Sequence, residues 1–350
     1  MNKFQYKSSS DTELIEYEAE VAEGLEAVAR DEISKVIGRQ GKIQFADKGA
    51  VRFAYSGKPQ ALLRLQTVIA LYSYDYFDVP RPRALLGHEH FQRLLRQIKE
   101  IRALSPRGSY ETFHLSAAGS DSSVMGRLKE QLAVETKLTH SEDKGDLFIR
   151  IRRSRQGWDV LVRLTSRPLA TRTWRVCNLE GALNASVARA MALFTKPSAD
   201  DIFLNIGCGS GSLLVERLEV EKARQAIGCD ISVEALACAA ENLRASRKQA
   251  TLLHCDGRQL PLASNSVNVL CADLPFGQLV GTHQENLQLY PALLHEAARV
   301  AVRRAYFVVI THEIKLMEAL LRETSVWQVE SMIRITLGGL HPRIYILRKL

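Results

Sequence analysis

The second half of the chain alternates apolar, strand-like segments with helical segments, and this alternation restricts the fold more than any other feature. The spacing of apolar residues predicts strands at 201–206, 225–229, 250–254, 268–272 and 305–310. Helical patterns separate them, including 232–246 and 288–302. Strands joined through helices run parallel, so the order predicts an α/β domain on a mostly parallel sheet. Two further strands, 327–337 and 343–348, predict an antiparallel hairpin at its edge.

The first half of the chain has a different order of elements. Residues 1–80 contain an extended segment, a helical pattern, two alternating strands, a second helix at 60–70 and an aromatic strand. This β-α-β-β-α-β order predicts an α+β domain of ferredoxin-like type. Residues 84–168 combine helices with a hairpin in a second α+β unit. A basic connector, 169–182, then leads into the α/β domain at 183–350.

Composition limits the class of protein. The apolar fraction of 46% suits packed domains and argues against disorder. No apolar run reaches the roughly 18 residues of a membrane span, and the N-terminus has no apolar signal core. We therefore expect a cytoplasmic protein without membrane contact. The six cysteines form no C-x-x-C pair, so no metal is expected. We expect small buried cysteines, with a catalytic thiol as the alternative.

The basic residues are unevenly distributed in a chain of net charge +8. They outnumber acids between residues 81 and 107, and between 150 and 175 they are all arginines, opposed by Asp159. Arginine suits phosphates and stacks on bases, so we predict RNA contact; the alternative is an ordinary solvated surface. The candidate residues are Arg81, Arg83, Arg150, Arg152, Arg153, Arg155, Arg172 and Arg175.

A glycine turn follows the first strand of the α/β domain. Gly207, Gly209 and Gly211 would let the backbone pass close to a ligand where a helix begins. Acids then follow the next three strands, at Asp230, Asp256 and Asp273. Ligands of open α/β sheets bind beyond the carboxyl ends of the strands, so these acids are expected in one cleft.

The spacing of these residues favours S-adenosylmethionine over a nicotinamide dinucleotide. The dinucleotide pattern requires a third glycine where this chain has Ser212. Asp230 suits ribose hydroxyls, although it could also cap the next helix, and Asp256 suits an adenine amino group. The predicted cofactor-binding residues are Asn205, Gly207, Cys208, Gly209, Gly211, Asp230, Ile231, Asp256, Gly257 and Asp273.

A carboxylate, a proline and an aromatic residue follow the fourth strand. The predicted catalytic segment is Asp273-Leu274-Pro275-Phe276. Asp273 and the Leu274 carbonyl could accept the two hydrogens of an exocyclic amine, since Pro275 restricts the backbone before it. Phe276 could stack on the base. The alternative is an ordinary turn with a buried phenylalanine.

With these motifs, the chain resembles the THUMP-domain-containing guanine-N2 RNA methyltransferases. The resemblance includes the acid-Pro-aromatic segment and covers nearly the whole chain. It implies an N-terminal ferredoxin-like domain at 1–80, a THUMP RNA-binding domain at 84–168 and a Rossmann-fold class I methyltransferase domain at 183–350. It also implies a monomer that forms N2-methylguanosine near the tRNA acceptor stem. A small activating protein partner, which some eukaryotic members use, is compatible with it.

The resemblance assigns roles to the motif residues. Gly207, Gly209 and Gly211 would line the methionine part of the cofactor, Asp230 would bind ribose, Asp256 the adenine and Asp273 the guanine amino group. The family turn usually reads Asp-Pro-x-Cys-Gly-Ser-Gly, whereas this chain has Asn205-Ile206 at its start. Asn205 carries no charge for the cofactor ammonium. One alternative is therefore an RNA-binding protein with an inactive methyltransferase domain. The others are guanine-N2 methylation of ribosomal or small nuclear RNA, and adenine-N6 methylation.

Overall fold

A computed structural model describes residues 14–106, 108–154, 156–275 and 282–350. The chain forms two compact units. Unit 1 contains the described residues up to Glu20 together with 29–169, and unit 2 contains 21–28 and 170–350. Within the described ranges, no helix combines the length and apolarity needed to cross a membrane.

Unit 1 is an α+β structure built on one sheet. Its strands, with the helices between them, are β1 (Ile15–Glu20), α1 (Glu26–Ile37), β2 (Gly41–Asp47), β3 (Ala50–Tyr55), β4 (Ala70–Phe77), α2 (His88–Arg102), β5 (Thr112–Ala117), α3 (Ser123–Thr136), β6 (Thr139–His140), β7 (Leu147–Arg153) and β8 (Trp158–Arg163). The first three residues of α1 belong to unit 2. The described strands follow the order β2-β3-β1-β4-β8-β7-β5-β6. The first four have the ferredoxin-like order. Because β4 pairs with β8, both predicted α+β units contribute to one sheet.

The predicted second helix of unit 1, at 60–70, is wrong in extent. The chain forms a short 3-10 helix, Pro59–Arg64. The Glu32 carboxylate accepts hydrogen bonds from the backbone N–H groups of Gln66 (3.0 Å) and Thr67 (2.8 Å). These amides are therefore not available to extend the helix.

Alternation along the strands of unit 1 places its larger apolar cluster on one face of the sheet. Leu147, Ile149 and Ile151 of β7 are buried against apolar residues of α2 and α3, such as Leu94 and Leu128. The residues between them carry polar or aromatic side chains to the other face, as the two-residue period of a strand requires.

Unit 2 is the predicted α/β structure. Its elements are α4 (Ala185–Phe194), β9 (Ile202–Ile206), α5 (Ser212–Val220), β10 (Gln225–Asp230), α6 (Val233–Ala245), β11 (Thr251–His254), β12 (Val267–Asp273), α7 (His283–Val300), β13 (Ala301–Thr311), α8 (Ile314–Glu323), β14 (Trp327–Arg334) and β15 (Arg343–Lys349). The described strands follow the order β11-β10-β9-β12-β13-β15-β14. The first five run parallel, and β15 pairs antiparallel with β13 and β14. The predicted mostly parallel sheet with an antiparallel edge is confirmed.

The cysteines of unit 2 depart in one respect from expectation. Cys177 and Cys238 form a disulfide, with Cα atoms 5.4 Å apart. The Asn242 side chain holds the connector in place by accepting hydrogen bonds from the Val176 and Cys177 amides. Cys229 and Cys271 are buried free thiols, and burial raises the pKa of each to about 12. These two thiols are neutral near pH 7, as expected of small packing residues.

Candidate active site

Strand register brings the glycine turn and two acids together. Ile206, the last residue of β9, pairs with Cys229 on β10 and with Ala272 on β12. The next residues along these strands, Asp230 and Asp273, therefore flank Gly207 on its two sides. From β9, the next strands in sequence are added on one side of the sheet (β10, β11) and the later ones on the other (β12, β13). Open α/β sheets form a ligand cleft where the strand order changes direction in this way, here between β9 and β12.

The glycine turn has the geometry of a ligand cradle. Gly207, Gly209 and Gly211 have φ angles of 61°, 51° and 81°, a region that side chains disfavour. A Cβ atom added to Gly207 or Gly209 would meet nothing within 4 Å, so both face open space. A Cβ on Gly211 would lie 3.2 Å from that of Ala239, so this glycine also permits close packing on α6. The first two glycines can thus admit a ligand to the backbone.

Asp230 is linked directly to the turn. One carboxylate oxygen accepts the Gly209 N–H (2.8 Å) and the other accepts the Ser232 N–H (3.0 Å). Ser232, not Asp230, caps α6 by accepting the Ala235 N–H. Each oxygen keeps a lone pair for a hydroxyl donor. Beside it, Ile231 is 68% exposed and offers apolar surface to a flat ring.

Asp256 follows β11 and has a partner on its own loop. Its carboxylate accepts hydrogen bonds from the backbone N–H and side chain of Arg258, which lower the pKa of Asp256. An adenine amino group would share the carboxylate with that guanidinium. A Cβ atom on the next residue, Gly257, would lie 2.8 Å from Cγ2 of Ile206. Glycine is therefore needed here for the loop to pack on β9.

Asn205 presents an unpaired acceptor in the interior. The residue is 1% exposed, and its Nδ2 makes two long contacts, with the carbonyls of Ile206 (3.4 Å) and Cys271 (3.3 Å). Its Oδ1 has no hydrogen-bond partner among the described residues. A buried acceptor left unpaired costs roughly 1–3 kcal/mol. An ammonium group or a water molecule would remove that cost, so the uncharged side chain is still compatible with a cofactor ammonium.

The described part of the acid-Pro segment, Asp273 to Pro275, is fixed by a hydrogen bond of its backbone. The Leu274 N–H donates to the Ile310 carbonyl (3.0 Å), while its side chain is buried in the core. The Asp273 carboxylate has no described hydrogen-bond partner, and burial raises the pKa of Asp273 to about 7. Phe276, the predicted stacking residue, lies outside the described residues. Among the residues that the structure describes, the geometry thus leaves this carboxylate without a partner beside the glycine cradle.

Comparison with known proteins identifies this half of the chain. Residues 172–343 match UPF0020, the RMKL-like methyltransferase domain family. These residues belong to that family. The methyltransferase domain is distantly homologous to guanine-N2 RNA methyltransferases. The chain is 28% identical over 184 residues to the tRNA (guanine(6)-N(2))-methyltransferase THUMP3 of Mus musculus, and the match covers 48% of this chain and 36% of that protein. It is 35% identical over 98 residues to the U6 snRNA (guanine-N(2))-methyltransferase THUMPD2 of Bos taurus, and the match covers 27% of this chain and 20% of that protein.

The chain thus matches about a third or less of the length of these curated relatives. Among solved structures, TrmN from Thermus thermophilus superposes with a TM-score of 0.76 and 21% identity over 96% of this chain and 100% of that one. The putative methyltransferase SMU.472, in complex with SAH, superposes with a TM-score of 0.66 and 14% sequence identity, over 95% of this chain and 97% of that one. These structures show that the two-sheet fold of the whole chain is that of TrmN.

The predicted RNA-contacting arginines fall into different environments. Arg81, Arg83 and Arg153 are exposed, and Arg155 lies outside the described residues. Arg150 and Arg152 are partly exposed but form ion pairs with Glu20 and Glu18 within unit 1.

One of the two predictions for the arginines of the connector, Arg172, needs a correction. Arg172 is 7% exposed and donates to buried Glu216 (2.7 Å), so it stabilises the methyltransferase domain from inside. Arg175 donates to Leu183 O and to Ser212 Oγ, both at 2.8 Å. The Arg172 guanidinium is therefore not presented to a phosphate on the protein surface, whereas RNA contact by half-buried Arg175 stays a prediction.

Two side chains that no sequence motif predicted hold the acid-Pro segment. Asn286 and Tyr290 of α7 are both fully buried, and both donate to the Pro275 carbonyl. Their spacing of four residues places them on one helix face. That spacing of polar groups within an otherwise apolar face was the available signal. Their partner could not be identified without the fold.

Proposed function

We propose that this protein methylates the N2 amino group of guanosine in structured RNA, with S-adenosylmethionine as donor and the acceptor-stem region of tRNA as target. The observation that carries the proposal is the Asp273 carboxylate, which has no hydrogen-bond partner among the described residues and lies beside the open side of Gly207 and Gly209. The methyltransferase family and the homology to guanine-N2 enzymes support the same reaction.

The residues present fit this cofactor. Gly207 and Gly209 would admit its methionine part, the Asn205 Oδ1 would accept from its ammonium, and Asp230 would accept from its ribose hydroxyls. When bound, it would supply an electrophilic methyl group on a positively charged sulfur.

The protein's part in the chemistry is to orient and activate the amine. Ionised Asp273 would accept one amino hydrogen and the Leu274 carbonyl would accept the other. This turns the nitrogen lone pair out of conjugation with the ring and toward the methyl group. The new C–N bond would form as the methyl–sulfur bond breaks, with the thioether S-adenosylhomocysteine as the leaving group. Asp273 would take the proton that the positively charged nitrogen then loses and pass it to water.

The decisive experiment uses unmodified tRNA and isotopically labelled S-adenosylmethionine, with mass spectrometry of the digested nucleosides. We expect label in N2-methylguanosine. We also expect Asp273→Ala to reduce turnover by about a hundred-fold or more while RNA binding persists. Asp200→Ala, a change at an exposed aspartate of the same domain, serves as the control. Label confined to a ring nitrogen, a ribose or adenine would refute the amino-group assignment.

Two observations favour specific alternatives. The uncharged Asn205 suits an RNA-binding protein whose methyltransferase domain is inactive; calorimetry without detectable S-adenosylmethionine binding would support it. The match to a U6 snRNA methyltransferase makes small nuclear RNA the second substrate to assay.

A further inference from the structure

The carbonyl oxygen of Pro275 is held by two side chains from a single helix. Tyr290 Oη donates to it at 2.6 Å and Asn286 Nδ2 at 3.1 Å. Both side chains belong to fully buried residues of α7. A carbonyl has two lone pairs, so these contacts fill its accepting capacity. Together with the Leu274–Ile310 bond, they fix the described part of the segment after Asp273 at two successive residues.

A second layer of hydrogen bonds fixes the donors. Tyr290 Oη lies 2.7 Å from Thr311 Oγ1, which accepts the Glu313 N–H at 2.9 Å. Asn286 Nδ2 also lies 3.3 Å from Oε1 of Glu313. His283 Nδ1 contacts the same carboxylate at 2.9 Å.

Only one arrangement of hydrogens satisfies these contacts. The single Tyr290 hydroxyl hydrogen must point to the Pro275 carbonyl, which cannot donate. Thr311 must then donate to Tyr290, and the two Asn286 hydrogens go to Pro275 and Glu313. Because each donor has a unique acceptor, the network has a direction and ends at the segment that carries Asp273. Every donor hydrogen named here has an acceptor, although the Asn286 Oδ1 has no hydrogen-bond partner among the described residues. A buried network of such bonds rigidifies what it holds.

We propose that Tyr290 and Asn286 are positioning residues for methyl transfer, acting through the Pro275 carbonyl. The inference rests on the proposed function, because it assumes that Asp273 and the Leu274 carbonyl accept the amino hydrogens. Those acceptors precede Pro275 by two and one residues, so rotation of the segment would move both. A displacement of about 1 Å at reacting groups can cost on the order of a hundred-fold in rate.

The test removes single hydrogen-bonding groups and keeps side-chain shape. Tyr290→Phe deletes the donor to Pro275, and Thr311→Val deletes the group that orients it, whereas Thr311→Ser retains that hydroxyl. Tyr345→Phe is the matched control, because Tyr345 is a buried tyrosine of the same domain whose hydroxyl has no hydrogen-bond partner among the described residues. Steady-state kinetics with tRNA and S-adenosylmethionine, cofactor Kd and the hydrogen-exchange rate of the Leu274 amide are measured for each.

We expect Tyr290→Phe to lower kcat by about ten-fold or more, with KM for RNA and cofactor Kd within about two-fold of wild type. The Leu274 amide should exchange about ten-fold faster. Thr311→Val should show a smaller effect of the same kind, while Thr311→Ser and Tyr345→Phe should match wild type.

Unchanged kcat in Tyr290→Phe, or a decrease equal to that of Tyr345→Phe, would overturn the inference. If the wild-type protein itself forms no N2-methylguanosine, the proposed function fails. The Leu274 exchange rates then decide by themselves whether Tyr290 holds the segment.

Discussion

The Asp273 carboxyl group is one whose ionisation the fold opposes. Burial without a described partner raises its pKa to about 7, from an unfolded value near 4. A raised carboxyl pKa means that the folded state prefers the protonated form. Its stabilising contribution is complete below the unfolded pKa and is lost as the pH rises through about 7. The proposed reaction requires the ionised form, which the fold disfavours.

Asp273→Asn should therefore stabilise the protein in a pH-dependent way, because asparagine cannot ionise. We expect its free energy of unfolding at pH 8.5 to exceed that of wild type by roughly 1–3 kcal/mol. Below about pH 4 the difference should be close to zero. Urea titrations at several pH values measure the effect, with Asp200→Asn as the exposed control. A stability difference independent of pH would show that Asp273 is not buried as a charged group.

The secondary-structure elements show what local pattern can predict. The alternation of apolar strands with helices predicted β9–β13 because burial on both faces of a parallel sheet imposes it. The 3-10 helix at Pro59–Arg64 escaped prediction because its end depends on Glu32, a residue distant in sequence. The Cys177–Cys238 disulfide and the Tyr290–Pro275 bond likewise join residues that only the fold brings together.

The glycine turn between β9 and α5 supplies a prediction about a loop's function. Gly209→Ala should weaken S-adenosylmethionine binding by about ten-fold or more, because the new methyl group would enter the open space of the cradle. Its cost in stability should be about 1 kcal/mol, from the positive φ. Gly38→Ala is the matched control, since Gly38 has φ 49° and a Cβ there also meets nothing within 4 Å.

Calorimetry of cofactor binding and thermal unfolding separate the two effects. We expect both variants to lose a similar amount of stability, whereas only Gly209→Ala should lose affinity for the cofactor. Equal cofactor affinity in both variants would exclude the glycine turn from the cofactor site.

At the scale of the whole molecule, we expect RNA binding to depend more on where the positive charges lie than on their total. The sequence predicted RNA contact from clusters of arginine, but clustering does not distinguish exposed guanidinium groups from paired ones. Arg172 is committed to Glu216 in the interior, whereas Arg81 and Arg83 are exposed after β4. Counterion release on RNA binding depends on the charges that reach phosphates. Only exposed arginines, such as Arg81 and Arg83, can contribute to counterion release.

The double variant Arg81→Ala, Arg83→Ala should therefore bind RNA more weakly and with a smaller salt dependence. We expect the slope of log K against log salt to fall by about 1–2 units, as for the loss of one or two phosphate contacts. Arg224→Ala with Arg244→Ala removes the same charge from exposed sites of the methyltransferase domain and is the control. Fluorescence anisotropy with labelled tRNA at several salt concentrations measures both. If the control lowers the slope equally, net charge and not the segment after β4 governs RNA affinity.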